Sequence, residues 1–112
     1  MNILQLRTEF SDNGPGTQCL TISEELRKRG HNVFLASSGG YLTNKILNKE
    51  FKYFIIKEIA YGKRSFFNLF ISIYKIYKIL KNNKIDVVHA HNAASISLAN
   101  FASLFIFRKI NF

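Results

Sequence analysis

The chain has 112 residues, with 16 Lys and Arg against 7 Asp and Glu, a net charge of +9. That length leaves room for one domain only, and a composition 47% hydrophobic and 14% aromatic excludes a disordered chain. A single cysteine, Cys19, excludes an internal disulfide and a thiolate metal site and points to a reducing, cytoplasmic setting. Met1 to Arg7 run directly into an apolar pattern, without the charged start, long apolar run and small-residue site of an export signal.

Charge is unevenly spread. Residues 1–56 hold 7 basic and 5 acidic side chains, and residues 57–112 hold 9 and 2. The second half therefore carries the field, which attracts phosphate in a nucleotide, a lipid headgroup or a nucleic acid without choosing among them.

Asn2–Arg7 is a short apolar run followed by Ser11-Asp12-Asn13-Gly14-Pro15-Gly16, dense in turn formers, so a strand leads into a loop. From Thr17 to Arg29 the residues Cys19, Ile22 and Leu26 recur at helical spacing. Arg27, Lys28 and Arg29 suit the negative end of the dipole, and Gly30 stops the helix. Asn32–Ala36 is nearly all apolar, as a parallel strand covered on both faces is. Tyr41–Lys49 reads as a short helix with Leu42, Ile46 and Leu47 inward, and Phe51–Ile56 as a third strand.

Ser65–Asn82 is the longest periodic segment. On a helical wheel Ser65, Asn68, Ser72, Lys75, Lys78 and Lys81 share one side, and Leu69, Phe70, Ile73, Ile76, Tyr77 and Leu80 the other. Ile85–His89 is a buried-strand pattern, Ala90–Asn92 a loop, and Ala93–Phe107 an apolar helix too short for the ~20 residues of a membrane span. Arg108–Phe112 looks like the opening of a fifth strand, as though the chain were truncated there. Strands and helices in strict alternation predict an α/β fold, a Rossmann-like parallel sheet with helices on both faces.

In such sheets ligands sit beyond the carboxyl ends of the strands. The first candidate is Asn13-Gly14-Pro15-Gly16-Thr17, where glycine lets backbone approach a ligand and the N–H groups of the next helix face an anion. Cys19 stands where a dinucleotide fingerprint needs its third glycine, and Ala36 and Ser37 stand where it needs an acid, so a nicotinamide cofactor is not expected. No cofactor of any other kind is indicated.

The second candidate is His89-Ala90-His91-Asn92. The two histidines are expected to point apart, so no shared metal is expected; either both histidines merely cap a helix or pack, or His91 and Asn92 sit in the cleft and hydrogen bond a polyhydroxylated ligand. The third is the basic helix, where Phe67 and Tyr74 lie near Lys75, Lys78 and Lys81. Aromatics beside lysines suit an anionic bilayer surface, against the plainer reading of a core helix with solvated lysines. No helix-turn-helix, zinc-finger or RNA-recognition pattern occurs, so nucleic acid is not an expected partner. No Gly-x-Ser-x-Gly turn occurs, and Cys19 lies on the inward side of its helix, so nucleophilic catalysis is not expected either.

The glycine loop Asn13–Thr17, the segment Glu24-Glu25-Leu26-Arg27-Lys28-Arg29-Gly30-His31-Asn32-Val33 and the segment Lys84-Ile85-Asp86-Val87-Val88-His89-Ala90-His91-Asn92 together resemble the amino-terminal domain of family-four-like glycosyltransferases of the GT-B fold, over nearly the whole chain. The resemblance implies a retaining hexosyltransferase of polysaccharide biosynthesis, which moves a sugar from a nucleotide-sugar donor to a glycan or lipid-linked acceptor between two Rossmann-like domains. It implies that residues 1–112 are the incomplete amino-terminal, acceptor-side half. Gly14 or Gly16 would approach donor phosphates and acceptor, although Pro15 separates glycines that are usually adjacent, and His91 and Asn92 would lie on the acceptor-side loop. The family's Thr-x-His-Gly segment and the donor-binding domain with its Glu-x7-Glu motif would fall past Phe112, so these residues alone would be inactive. Strand four would be left with an unpaired edge, and the protein would be cytoplasmic, attaching at the inner membrane face. The alternative is a non-catalytic basic α/β module that binds a phosphate-bearing ligand or an anionic membrane.

Overall fold

A computed structural model describes residues 1–10, 14–60, 65–106 and 109–112. In chain order the elements are β1 (Asn2–Leu6), α1 (Pro15–Lys28), β2 (Asn32–Ser37), α2 (Thr43–Asn48), β3 (Lys52–Ile55), a 3₁₀ turn (Lys57–Ile59), α3 (Phe66–Asn82), β4 (Val87–Ala90) and α4 (Ala93–Ser103). The four strands form one parallel sheet in the order β3-β2-β1-β4, with Gln5 paired to both Leu35 and His89. The α/β, Rossmann-like layering expected from the sequence is the layering observed.

Alternation along β2 shows how the sheet is clad. Phe34 and Ala36 join a core with Ile76, Ile79 and Leu80 of α3 and Leu98, Ala99 and Ala102 of α4, while Val33 and Leu35 join a second core with Cys19 and Leu20 of α1 and Ile46 of α2. Successive strand residues point to opposite faces, so a continuous apolar run is what a strand covered twice requires. Each fully buried Leu or Ile contributes about 1.5–3 kcal/mol by leaving water.

Helix ends follow local chemistry. Gly30, at φ +91°, closes α1 with two backbone bonds, Gly30 N–H to Arg27 O and His31 N–H to Leu26 O, the pairing of a Schellman motif. Lys84 closes α3 in the same way, its N–H on Lys81 O and that of Ile85 on Leu80 O, but it reaches φ +49° with a side chain. Ser65 caps α3 by accepting from Asn68 N–H.

Several expectations need correction. Leu47 is exposed, because a six-residue helix has one inward stripe and Leu42 and Ile46, four apart, occupy it. On α3 the assignments of Ser72 and Phe70 are reversed: Ser72 is fully buried with its hydroxyl donating to Asn68 O, and Phe70 is exposed. The reason is that α3 packs against α4 and the 3₁₀ turn as well as the sheet, and a small, internally bonded side chain permits that approach. The last helix ends at Ser103 rather than Phe107. Asn111 returns to β4 by one parallel bridge, with Val88 N–H on Asn111 O at 2.8 Å and Asn111 N–H on Asp86 O at 2.9 Å, so the outer edge of β4 is partly covered.

Candidate functional site

In the order β3-β2-β1-β4 the chain leaves β1 toward α1 on one face, and leaves β4 toward α4 on the other. Two neighbouring strands whose connections diverge open a crevice at their carboxyl ends. The loops there are tied together by Thr8, itself buried: its carbonyl accepts from Ser38 N–H at 2.8 Å and Ser38 Oγ at 2.7 Å, and its hydroxyl accepts from Asn92 Nδ2 at 2.6 Å. Phe10 N–H donates to Gly39 O, joining the loops after β1 and β2.

The helix α1 starts at this crevice. Gly14 is its N-cap at φ −85°, Pro15 stands in the first turn and no acid lies in the first turn. Open space surrounds Gly14, so neither sterics nor its φ demands glycine there. Gly16 is buried in the first turn and Thr17 is half-buried beside it. Asn13 lies outside the described residues.

His91 is the crevice's titratable group. Its Nε2 stands 2.6 Å from Gln5 Oε1 and 3.4 Å from Cys19 Sγ. Burial pushes its pKa down to about 4, helped by the charges of His89 and Arg7, so the ring is neutral at physiological pH. The rings of His89 and His91 do not diverge: their centroids are 4.1 Å apart, because residues two apart on a strand share a face. Even so, among the described residues no group of three or more His, Cys, Asp and Glu side chains is placed to hold a metal ion. Asn92 is occupied as the N-cap of α4 in a capping box: its Oδ1 accepts from Ser95 N–H, and its own backbone N–H donates to Ser95 Oγ.

The carboxyl end of the sheet thus carries Gly14, Gly16 and Thr17 at the start of α1 and His91 and Asn92 after β4. Gln5, Thr8 and Cys19 were not read from the sequence as members. A polar Gln5 inside an otherwise apolar strand was the available signal.

The basic helix lies elsewhere, on the opposite face of the sheet. Phe67 and Tyr74 are exposed, Lys78 Nζ is 5.6 Å from the Tyr74 ring, and Lys81 Nζ is 5.8 Å from the Tyr77 ring. Lys75 instead pairs with Glu58 at 2.6 Å, which holds that carboxyl below its ordinary pKa. The exposed surface is wider than expected: Phe66 and Phe70 extend it on α3, and Phe101, Leu104 and Phe105 extend it onto α4 and just beyond. No described helix is long and apolar enough to cross a membrane. A separate cleft of about 430 Å³, lined by residues including Arg27, His31 and Phe51, lies at the amino ends of the strands, away from the crevice.

An open parallel sheet with helices on both faces, whose connections from β1 and β4 leave to opposite sides, defines a Rossmann-like domain. The chain belongs to Glycosyltransferase Family 4, whose family model matches residues 12–111. The fold is shared with part of the crystal structure of Acinetobacter baumannii MurG, a GT-B protein, at a TM-score of 0.74 and 12% identity. That match covers 97% of this chain and 33% of MurG, so the chain spans about a third of the other protein's length. No curated protein sequence matches the chain.

Proposed function

We propose that the chain is the acceptor-side portion of a retaining glycosyltransferase that uses a nucleotide-sugar donor and a glycan or lipid-linked acceptor. A donor-binding domain following Phe112 would complete it. The observation that carries this reading is the carboxyl end of the sheet, where the first turn of α1, with Gly16 buried in it, is linked through Cys19 to a neutral His91. Glycine keeps the backbone N–H groups approachable by phosphate oxygens, and a neutral imidazole can hydrogen bond a sugar hydroxyl. A leaving nucleotide diphosphate must be surrounded by positioned charge, which half a cleft cannot do, so these residues alone are inactive.

The α3–α4 surface favours a membrane-borne acceptor. Its exposed aromatics carry Lys78 and Lys81 among them, and neither helix contains Asp or Glu. Such a face suits an anionic bilayer at the cytoplasmic side of the inner membrane. The rival reading, a non-catalytic basic module, would use this same face without any transfer.

Transfer of labelled sugar from a nucleotide-sugar mixture to membrane extracts, by the gene product together with any chain that follows Phe112, decides between them. Wild type is expected to label the extract, and Gly16→Val to lose at least about tenfold, equivalent to 1.4 kcal/mol of transition-state binding. A Gly16→Val protein that transfers as well as wild type would sink the assignment of this crevice.

A further inference from the structure

We propose that Gln5 is a positioning residue: its buried carbonyl fixes His91 as the Nε2–H tautomer, so that the ring offers Nδ1 as a hydrogen-bond acceptor to a hydroxyl-bearing ligand. The ligand class rests on the sugar-acceptor reading above, whereas the tautomer does not.

Gln5 is fully buried at the centre of the sheet, between Leu4 and Leu6 on β1 and in register with His89 on β4. Its neighbours on the strand are leucines, and Gln5 Nε2 has no partner among the described residues. An orphaned buried donor is costly. The amide's carbonyl explains why a polar residue stands there nonetheless. Gln5 Oε1 lies 2.6 Å from His91 Nε2, and 3.9 Å from the Cys19 thiol, which donates toward the same oxygen. A carbonyl only accepts, so the ring nitrogen facing it must carry the proton, and the lone pair of the neutral ring is then on Nδ1. Nδ1 has no partner among the described residues.

The surroundings keep the ring neutral. The groups that face it are His89 on β4, Arg7 just past β1 and Cys19 on α1, while α4 contributes no charged side chain. Among the described residues no carboxylate faces the ring, and none of these groups favours the imidazolium. The site is therefore suited to receive a hydrogen bond from a neutral hydroxyl, and unsuited to act as a cation toward phosphate.

Two-bond ¹H–¹⁵N NMR of the labelled chain reads the tautomer directly. At neutral pH His91 is expected as Nε2–H with an unprotonated Nδ1, and Gln5→Leu, which removes the carbonyl at similar volume, is expected to raise the Nδ1–H fraction at least about threefold. Methyl α-glucoside at about 100 mM, a concentration suited to a single weak contact, should shift the Nδ1 resonance, and inorganic phosphate at matched ionic strength should not. Wild-type His91 protonated on Nδ1 would overturn the proposal, as would a folded Gln5→Leu with the wild-type tautomer. A phosphate response in place of the glucoside response, or no response to either, would overturn the ligand class. Should Gln5→Leu fail to fold, the wild-type spectrum alone still decides the tautomer. A failed transfer assay would remove the proposed enzyme activity and leave the tautomer result in place.

Discussion

Acidification should destabilise this protein through His91. The imidazole falls from an ordinary 6.5 in the unfolded chain to about 4 in the folded one. The folded state therefore holds His91 neutral, and its stabilisation is complete above pH 6.5 and is lost as pH falls toward 4, because the unfolded chain takes up the proton first. At 1.36 kcal/mol per tenfold the whole span amounts to about 3 kcal/mol, of which about 2 would be gone by pH 5; partial exposure of the ring roughly halves that, to about 1 kcal/mol. Urea unfolding of wild type and His91→Phe at pH 7.5 and pH 5 isolates the term, since every other group is common to both. Wild type should lose about 1 kcal/mol more than the variant between the two values. Equal losses would refute the depressed imidazole, and a wild type that gains stability toward pH 5 would reverse the sign of the argument.

Four further outcomes are expected. Ile76, fully buried where α3 meets the sheet, should cost about 2–5 kcal/mol as Ile76→Ala in chemical denaturation. Asn92→Ala removes the capping box of α4 and should cost about 1 kcal/mol, while Asn92→Asp or Asn92→Ser restores most of it; an equal loss in all three would point to a role other than capping. Lys84→Gly relieves a non-glycine residue held at φ +49° and should stabilise the fold by up to about 1 kcal/mol, read as a higher urea midpoint. Replacing Phe66, Phe67 and Phe70 together by serine should abolish sedimentation with anionic liposomes at low salt and leave the unfolding midpoint near wild type, because all three are exposed; unchanged sedimentation would remove the membrane surface.

Much of the fold was legible because it is written in local signals. Gly30 stops α1 for a reason confined to one residue's φ, and the continuous apolar run Val33–Ala36 declares a strand covered on both faces. The candidate loops at the ends of the first and fourth strands could be named as well, since parallel α/β topology places ligands there irrespective of detail. What was misread turns on partners. Ser72 and Phe70 exchanged their expected faces because α4 and the 3₁₀ turn, not the wheel, decide which stripe of α3 is covered.

The pattern of residues along this chain was thus enough to determine a parallel α/β layer, the positions of its turns and the basic, aromatic character of its second half, since periodicity, capping and charge are properties of neighbours in sequence. Only the tertiary structure decided that Gln5, Cys19 and His91, drawn from β1, α1 and the loop after β4, share one crevice. It alone decided that Asn92 is spent on capping α4 and on Thr8, and that the exposed aromatics of α3 continue through Phe101, Leu104 and Phe105. Such contacts join residues as many as 86 apart in sequence, and they are set by strand order and helix packing, which no local window contains.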